Sequence, residues 1–233
     1  AGQSCVGDHF AWFVENCVPE SYEQEARVRG ISIHQLLSEK LSTYKAGASG
    51  LLALDWFNGV RTPLMDFNLN GLIMGMNLLT KPEEIYLSLI EATAYGTRMI
   101  IEGFEEAGLE VKDITLSGGI PIKNEMLVQV YSDVCNRKIK VVDSTQSSAL
   151  GAAILGAAAA PERITGFKNA NEAAKKLGKV KDKVWEPNQD NVEIYNELYE
   201  EYKTLHTYFG TGINDVMKHL SLIHISEPTR HAQ

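Results

Sequence analysis

The 233-residue chain is long enough to bury a sizeable core, and its 44% hydrophobic and 22% charged residues are ordinary for a globular protein. A formal net charge of −8 without any Lys/Arg block argues against nucleic-acid binding and against docking to an anionic membrane. It does not argue against a phosphorylated ligand, because backbone amides hold phosphate without a basic patch.

Three cysteines, Cys5, Cys17 and Cys135, form no C-x-x-C pair, so free thiols in a reducing cytoplasm are expected. No apolar run approaches the ~20 residues of a membrane span. The chain opens on Ala1-Gly2-Gln3 in what reads as the middle of a domain. Phe10, Phe13, Val14 and Cys17 then recur at helical spacing until Pro19 closes the segment. His9 beside Asp8 reads as a surface residue of the first helical turn rather than as an acid/base pair. Ser32–Tyr44 is a second helix, apolar at Ile33, Leu36, Leu37 and Leu41, and Ala46–Gly50 is a flexible connection.

Leu51–Leu54 reads as a buried strand, Asn58-Gly59 as a turn, and Leu72–Met76 as another strand bracketed by Gly71 and Gly75. Pro82, at an N1-like position after Lys81, opens a long helix. Ile85, Leu89, Ala92, Tyr95 or Gly96, Met99, Ile100, Gly103 and Phe104 trace its expected buried face, and Gly108 ends it. Ile114–Leu116 is a short apolar strand that stops at Ser117-Gly118-Gly119. Paired glycines there let the backbone turn and let a flat ligand lie against main chain, although a tight turn with no ligand fits equally.

Asn124 is a candidate N-cap for a helix carrying Met126, Leu127, Val130, Tyr131 and Val134. Ile139, Val141 and Val142 give the next strand, and Ala149–Ala160 a small-residue helix able to lie close against a sheet. The resulting βαβα unit places a ligand-ready turn at the carboxyl end of its first strand, where open α/β sheets bind ligands. Asn169–Leu177 is a short amphipathic helix, and the run to Pro187 a polar linker. In the last long helix Ile194, Tyr195, Leu198, Tyr199, Tyr202 and Leu205 form a stripe that reads as core. Glu193, Glu197, Glu200 and Glu201 are its solvated face. His34, His206 and His219 stand alone, without metal-ligand spacing.

The stretch Asp113–Gly156 resembles the adenosine-binding segment of the FGGY carbohydrate kinases, within the actin/Hsp70-like (ribonuclease H-like) ATPase superfamily. Gly71–Met76 (GLIMGM), then seven residues, then Glu84–Glu91 (EIYLSLIE) is similar to that family's second signature. Asp55–Pro63 (DWFNGVRTP) and Ala1–Phe13 look more like the ribulose-phosphorylating branch than the xylulose or glycerol branches. The resemblance runs from Ala1 to about Leu220 and implies an α/β, actin/Hsp70-like C-terminal kinase domain, incomplete at its N-terminus.

That resemblance implies ATP with Mg²⁺ as cofactors and a small sugar as substrate, with a homodimer as the full-length assembly. Gly118 and Gly119 would back the nucleotide, and Lys123 and Asn124 would sit at its edge. Asn70 stands where many relatives carry Arg. Arg61 is therefore the candidate loop cation, with a structural ion pair as its other reading. The family's catalytic Asp and first phosphate loop fall upstream of Ala1, so no catalytic residue is assigned and the fragment alone should be inactive.

The implied divisions are a helical segment at 1–48, a nucleotide-binding core at 49–165 and C-terminal helices at 166–219. Leu220–Arg230 resembles a translated transposase sequencing adapter, so 220–233 reads as a non-native tail without continuity with the helix before it. Another sugar kinase of the family, or a non-catalytic nucleotide-binding protein of the actin/Hsp70 type, are the alternative readings.

Overall fold

A computed structural model describes residues 1–226. Three helices come first, α1 (Gly7–Cys17), α2 (Glu20–Arg29) and α3 (Ile33–Lys40). Strands β1 (Leu52–Leu54) and β2 (Leu72–Met74) form an antiparallel pair, with Leu52 opposite Met74 and Leu54 opposite Leu72. Helix α4 (Pro82–Glu106) follows. Then come β3 (Ile114–Leu116), α5 (Gly119–Lys123), α6 (Glu125–Cys135) and β4 (Ile139–Val142), with β3 and β4 parallel. The chain continues through α7 (Ser147–Ala159), α8 (Glu162–Thr165) and α9 (Ala170–Leu177) to β5 (Val180–Trp185), α10 (Gln189–Gly210) and α11 (Val216–Ser226). Strand β5 adds antiparallel to β4, giving a sheet ordered β3-β4-β5.

Helix α4 is the central element. Pro82 stands in its first turn, where a missing N–H costs nothing, and the Glu84 carboxylate reaches back 2.8 Å to accept from the Lys81 amide. Every residue from Tyr86 to Gly96 is buried, so this helix has no solvent face over three turns; α1, α3, β1, α6 and α10 pack around it. The expected one-sided stripe therefore does not hold: the middle is buried all round, and toward the C-terminal end Ile101 is buried while Met99 and Ile100 are half-buried and Gly103 and Phe104 exposed. The all-round burial brings Glu91, Ser88 and Thr93 into the interior.

The tyrosines of the α10 stripe are core, as their spacing suggested, with Leu198 and Leu205 half-buried and Ile194 exposed at its edge, and the tyrosine hydroxyls have specific partners. Tyr195 donates to Glu91 at 3.1 Å, Tyr199 to Glu102 at 2.8 Å and Tyr202 to Asp55 at 2.9 Å. These positions lie at i, i+4 and i+7, one face of a helix. Burial raises the Asp55 carboxyl to about 6 and the Glu91 carboxyl to about 8.

Several elements differ from the sequence reading. Helix α2 buries only Ala26, so it carries no apolar period; it is held by the Glu23–Arg27 pair and by charge pairs to α3, Lys40–Glu25 at 2.8 Å and Arg29–Glu39. Helix α3 stops at Lys40 rather than Tyr44. The polar run before Pro187 is strand β5, not a linker. It is an edge strand that buries only Trp185 and keeps its lysines outside. Helix α7 buries none of its residues and packs on α9 and α8 instead of lying close on a sheet. Helix α11 carries the chain through Leu220 to Ser226, with Asn214 accepting from the Val216 amide at 2.9 Å. The expected break at Leu220 is thus not seen, and residues 227–233 of that segment lie outside the described residues.

His9 is 1% exposed rather than on the surface; it packs edge-on against Phe10, and its Nδ1 lies 3.5 Å from the Cys5 sulfur. Burial lowers its pKa to about 4.

Glu91 gives a testable pH dependence. In the fold its carboxyl stays protonated to about pH 8, whereas in the unfolded chain it ionises near its ordinary 4.5. The unfolded state therefore binds fewer protons between those values, and this group's contribution to stability falls as pH rises through them. Glu91→Gln should stabilise the protein at pH 8 by roughly 1–3 kcal/mol more than at pH 5, measured by urea unfolding. An equal effect at both pH values would contradict this assignment.

Candidate functional site

Strand β3 delivers the chain to Ser117, and Gly118 turns it with φ +101° and ψ 179°, a conformation open essentially only to glycine. Gly119 then starts the short helix α5, and Pro121 seats that turn in the core. At Lys123 the chain breaks helix geometry. Asn124 restarts it, its Oδ1 accepting from the Leu127 amide at 3.0 Å as the N-cap of α6. The expected single helix after the glycines is thus two, because Asn124 adopts φ −128° and ψ 88° between them.

This loop opens onto a cleft of about 950 Å³, within the range of small-molecule sites. One wall is Gly119, Ile120, Lys123, Asn124 and Met126. The opposite wall is α1, through Gly7, Phe10 and Ala11, together with α3, through Ser32, His34, Gln35 and Ser38. Tyr86 of α4 lies between them. A Cβ on Gly7 would stand 3.0 Å from Ile120 Cδ1, so this glycine lets α1 close tightly against α5.

The two loop glycines do different work. Gly118 is required by its backbone angle. Gly119 has no such angle, and a Cβ built on it meets nothing within 4 Å. Nothing in the protein demands glycine there, which fits a position kept bare for a ligand lying against the main chain.

Three of the four residues expected at a nucleotide, Gly119, Lys123 and Asn124, line this cleft, and Gly118 forms the turn that presents them. Arg61 is not brought to them. It lines a separate small hollow with Gln3, Asp55, Gly96 and Tyr202, and among the described residues no carboxylate pairs with it. The α3 wall was missed by sequence reasoning, which left His34 isolated. A usable signal was present: Ser32, His34, Gln35, Ser38 and Glu39 make a polar face on a helix whose other face is Leu36, Leu37 and Leu41.

The parallel βαβ unit, the buried central helix and the cleft beyond the first strand are features of the actin/Hsp70-like α/β fold found in sugar kinases. Solved structures agree. The xylulose kinase from Rhodospirillum rubrum superposes with a TM-score of 0.67 at 20% identity, over 88% of this chain and 38% of that one. The glycerol kinase from Plasmodium falciparum, solved with ADP, gives 0.65 at 21% identity, over 88% and 37%.

Residues 1–160 match the C-terminal domain of the FGGY family of carbohydrate kinases, and the chain belongs to that family. The ribulokinase of Bacillus licheniformis is 53% identical over 220 residues, 94% of this chain and 40% of its own length. That of Halalkalibacterium halodurans is 51% identical over 223 residues, 96% of this chain and 40% of its own. The chain thus spans about 40% of the length of these curated relatives.

The loop geometry makes the two glycines separable by experiment. Gly118→Ala should lower stability by about 1–3 kcal/mol, the usual cost of a residue held in such a region, whereas Gly119→Ala should fold and melt like the parent. Thermal unfolding of both variants checks this; equal losses would contradict the distinct roles.

Proposed function

We propose that this chain is the nucleotide-binding C-terminal part of a kinase that transfers the ATP γ-phosphate to a hydroxyl of L-ribulose. The observation that carries the reading is the cleft itself, on which Gly119, Lys123 and Asn124 converge at the end of a parallel strand in a carbohydrate-kinase domain. Adenine would lie between the bare main chain at Gly119 with Ile120 and Met126 on one side and Phe10 and Ala11 on the other. This apolar slot removes the flat faces of the base from water. Lys123 and Asn124, at the loop edge, would meet the ribose.

The sugar assignment rests on the ribulokinases that the chain resembles at about 50% identity. Phosphoryl transfer depends on positioning and on neutralising charge at the transferred group. This chain supplies the first through the adenosine contacts. Among the described residues no group of three or more His, Cys, Asp or Glu side chains is placed to hold a metal. No residue here is therefore assigned to Mg²⁺, which arrives on the ATP phosphates. Arg61, free of carboxylate partners among the described residues, is the cation available to a neighbouring loop or phosphate. The chain divides, in this reading, into helices at 1–48, the nucleotide core at 49–165 and helices at 166–219, and the complete enzyme is a cytoplasmic homodimer.

The test is ADP binding by calorimetry to the chain and to Gly119→Leu, whose side chain would fill the bare position. At least a tenfold weaker affinity in the variant is expected, and unchanged affinity would overturn the cleft as the adenosine site. The complete kinase should phosphorylate L-ribulose in preference to D-xylulose and glycerol; preference for either of those would move the substrate and leave the nucleotide site standing.

A further inference from the structure

The wall formed by α3 contains a hydrogen-bonded pair that the loop residues alone do not explain. His34 Nδ1 lies 3.1 Å from the Tyr86 hydroxyl, with the rings 5.8 Å apart. Tyr86 is 2% exposed and stands at the start of the buried stretch of α4. Asn124, which also lines the cleft, keeps its Oδ1 on the Leu127 amide as the cap of α6.

The direction follows from what surrounds the phenol: His34 Nδ1 is its one hydrogen-bond partner among the described residues, so the Tyr86 hydroxyl donates its proton there. Burial keeps the imidazole neutral by lowering its pKa, and raises the Tyr86 phenol to about 12, so neither end ionises near neutral pH. A neutral imidazole that accepts at Nδ1 carries its proton at Nε2. That second nitrogen has no protein partner among the described residues, and the residue lines the cleft. The pair thus sets the tautomer of a residue on the cleft wall from the central helix α4.

We propose that His34, held by Tyr86, presents a fixed N–H donor to the edge of the bound base and so selects adenine over guanine. This rests on the reading of the cleft as the adenosine site. The chemistry discriminates because N1 of adenine accepts a hydrogen bond, whereas N1 of guanine carries a proton. A donor facing that position is satisfied by one base and opposed by the other. A site built to hydrogen-bond one partner rejects an analogue that leaves its polar group unpaired. Tyr86 is a positioning residue here: its hydroxyl acts on the base through His34.

The test is the ratio of ADP to GDP affinity, by calorimetry, for the chain and four variants. The parent should prefer ADP at least tenfold. His34→Leu should bring the ratio close to one, mainly by weakening ADP. His34→Gln, whose amide N–H reaches where Nε2 stood, should keep part of the preference. Tyr86→Phe, which frees the tautomer, should fall between. Gly119→Leu should weaken both nucleotides together. Should Gly119→Leu weaken both while His34→Leu and Tyr86→Phe leave the ratio at the parent value, the role of His34 is overturned and the cleft reading stands. Should Gly119→Leu leave ADP untouched, or the parent bind neither nucleotide, the cleft reading falls and the selectivity proposal with it. If His34→Leu does not fold, Tyr86→Phe and His34→Gln decide, and an unchanged ratio in both overturns the proposal.

Discussion

The structure depends on how closely other elements approach helix α4 at Gly96. A Cβ there would stand 2.4 Å from Gln3 Nε2 and 2.8 Å from Asp55 Oδ2. Glycine in a helix interior costs roughly 0.5–1 kcal/mol relative to alanine, and here that loss admits a polar knot into the core. Gln3 donates to Asp55 Oδ2 and to the Thr93 carbonyl, both at 2.8 Å, and Thr97 donates to Gln3 Oε1 at 3.2 Å. Tyr202 donates to the other Asp55 oxygen. The first residues of the chain, the end of β1, the middle of α4 and the far half of α10 are joined at one buried point. Buried polar groups left unpaired are costly, so each of these partners depends on the others.

That junction positions the cleft. Fixing α4 fixes Tyr86, nearly three turns before Gly96, on the side where α1 and α3 meet the loop after β3. Phe10 and Phe13 stack toward the Tyr86 ring at 5.5 and 6.2 Å, seating α1 on it. On the opposite side, α6 packs along α4 through a buried face, and Asn124 is its cap. The two walls of the cleft therefore belong to elements that share one central helix, which keeps their separation constant without direct contact between most of their side chains.

The parts legible in the sequence were those with a strong local period or a required backbone. Strand β3, the glycines, the Asn124 cap, α6 and β4 follow from apolar spacing and cap chemistry, and these same residues carry the loop side of the cleft. The parts that were not legible were decided by tertiary contacts. Helix α2 is held by charge pairs rather than an apolar stripe. Strand β5 buries one tryptophan, and its lysines read as a linker until β4 offers it a ladder. His9 looked exposed beside Asp8, yet the surrounding Phe10 and Phe57 rings enclose it. The α3 wall was hidden because a lone histidine gives no periodic signal; only the fold shows that Tyr86, more than fifty residues away, lies within hydrogen-bond distance.

The most direct test of a nucleotide bridging these two walls is amide hydrogen exchange of the chain with and without ADP. Slower exchange is expected in two separated segments at once, 119–127 on the loop side and 32–42 on the α3 side. Protection confined to the hollow around Arg61 and Asp55, or no change anywhere, would contradict it.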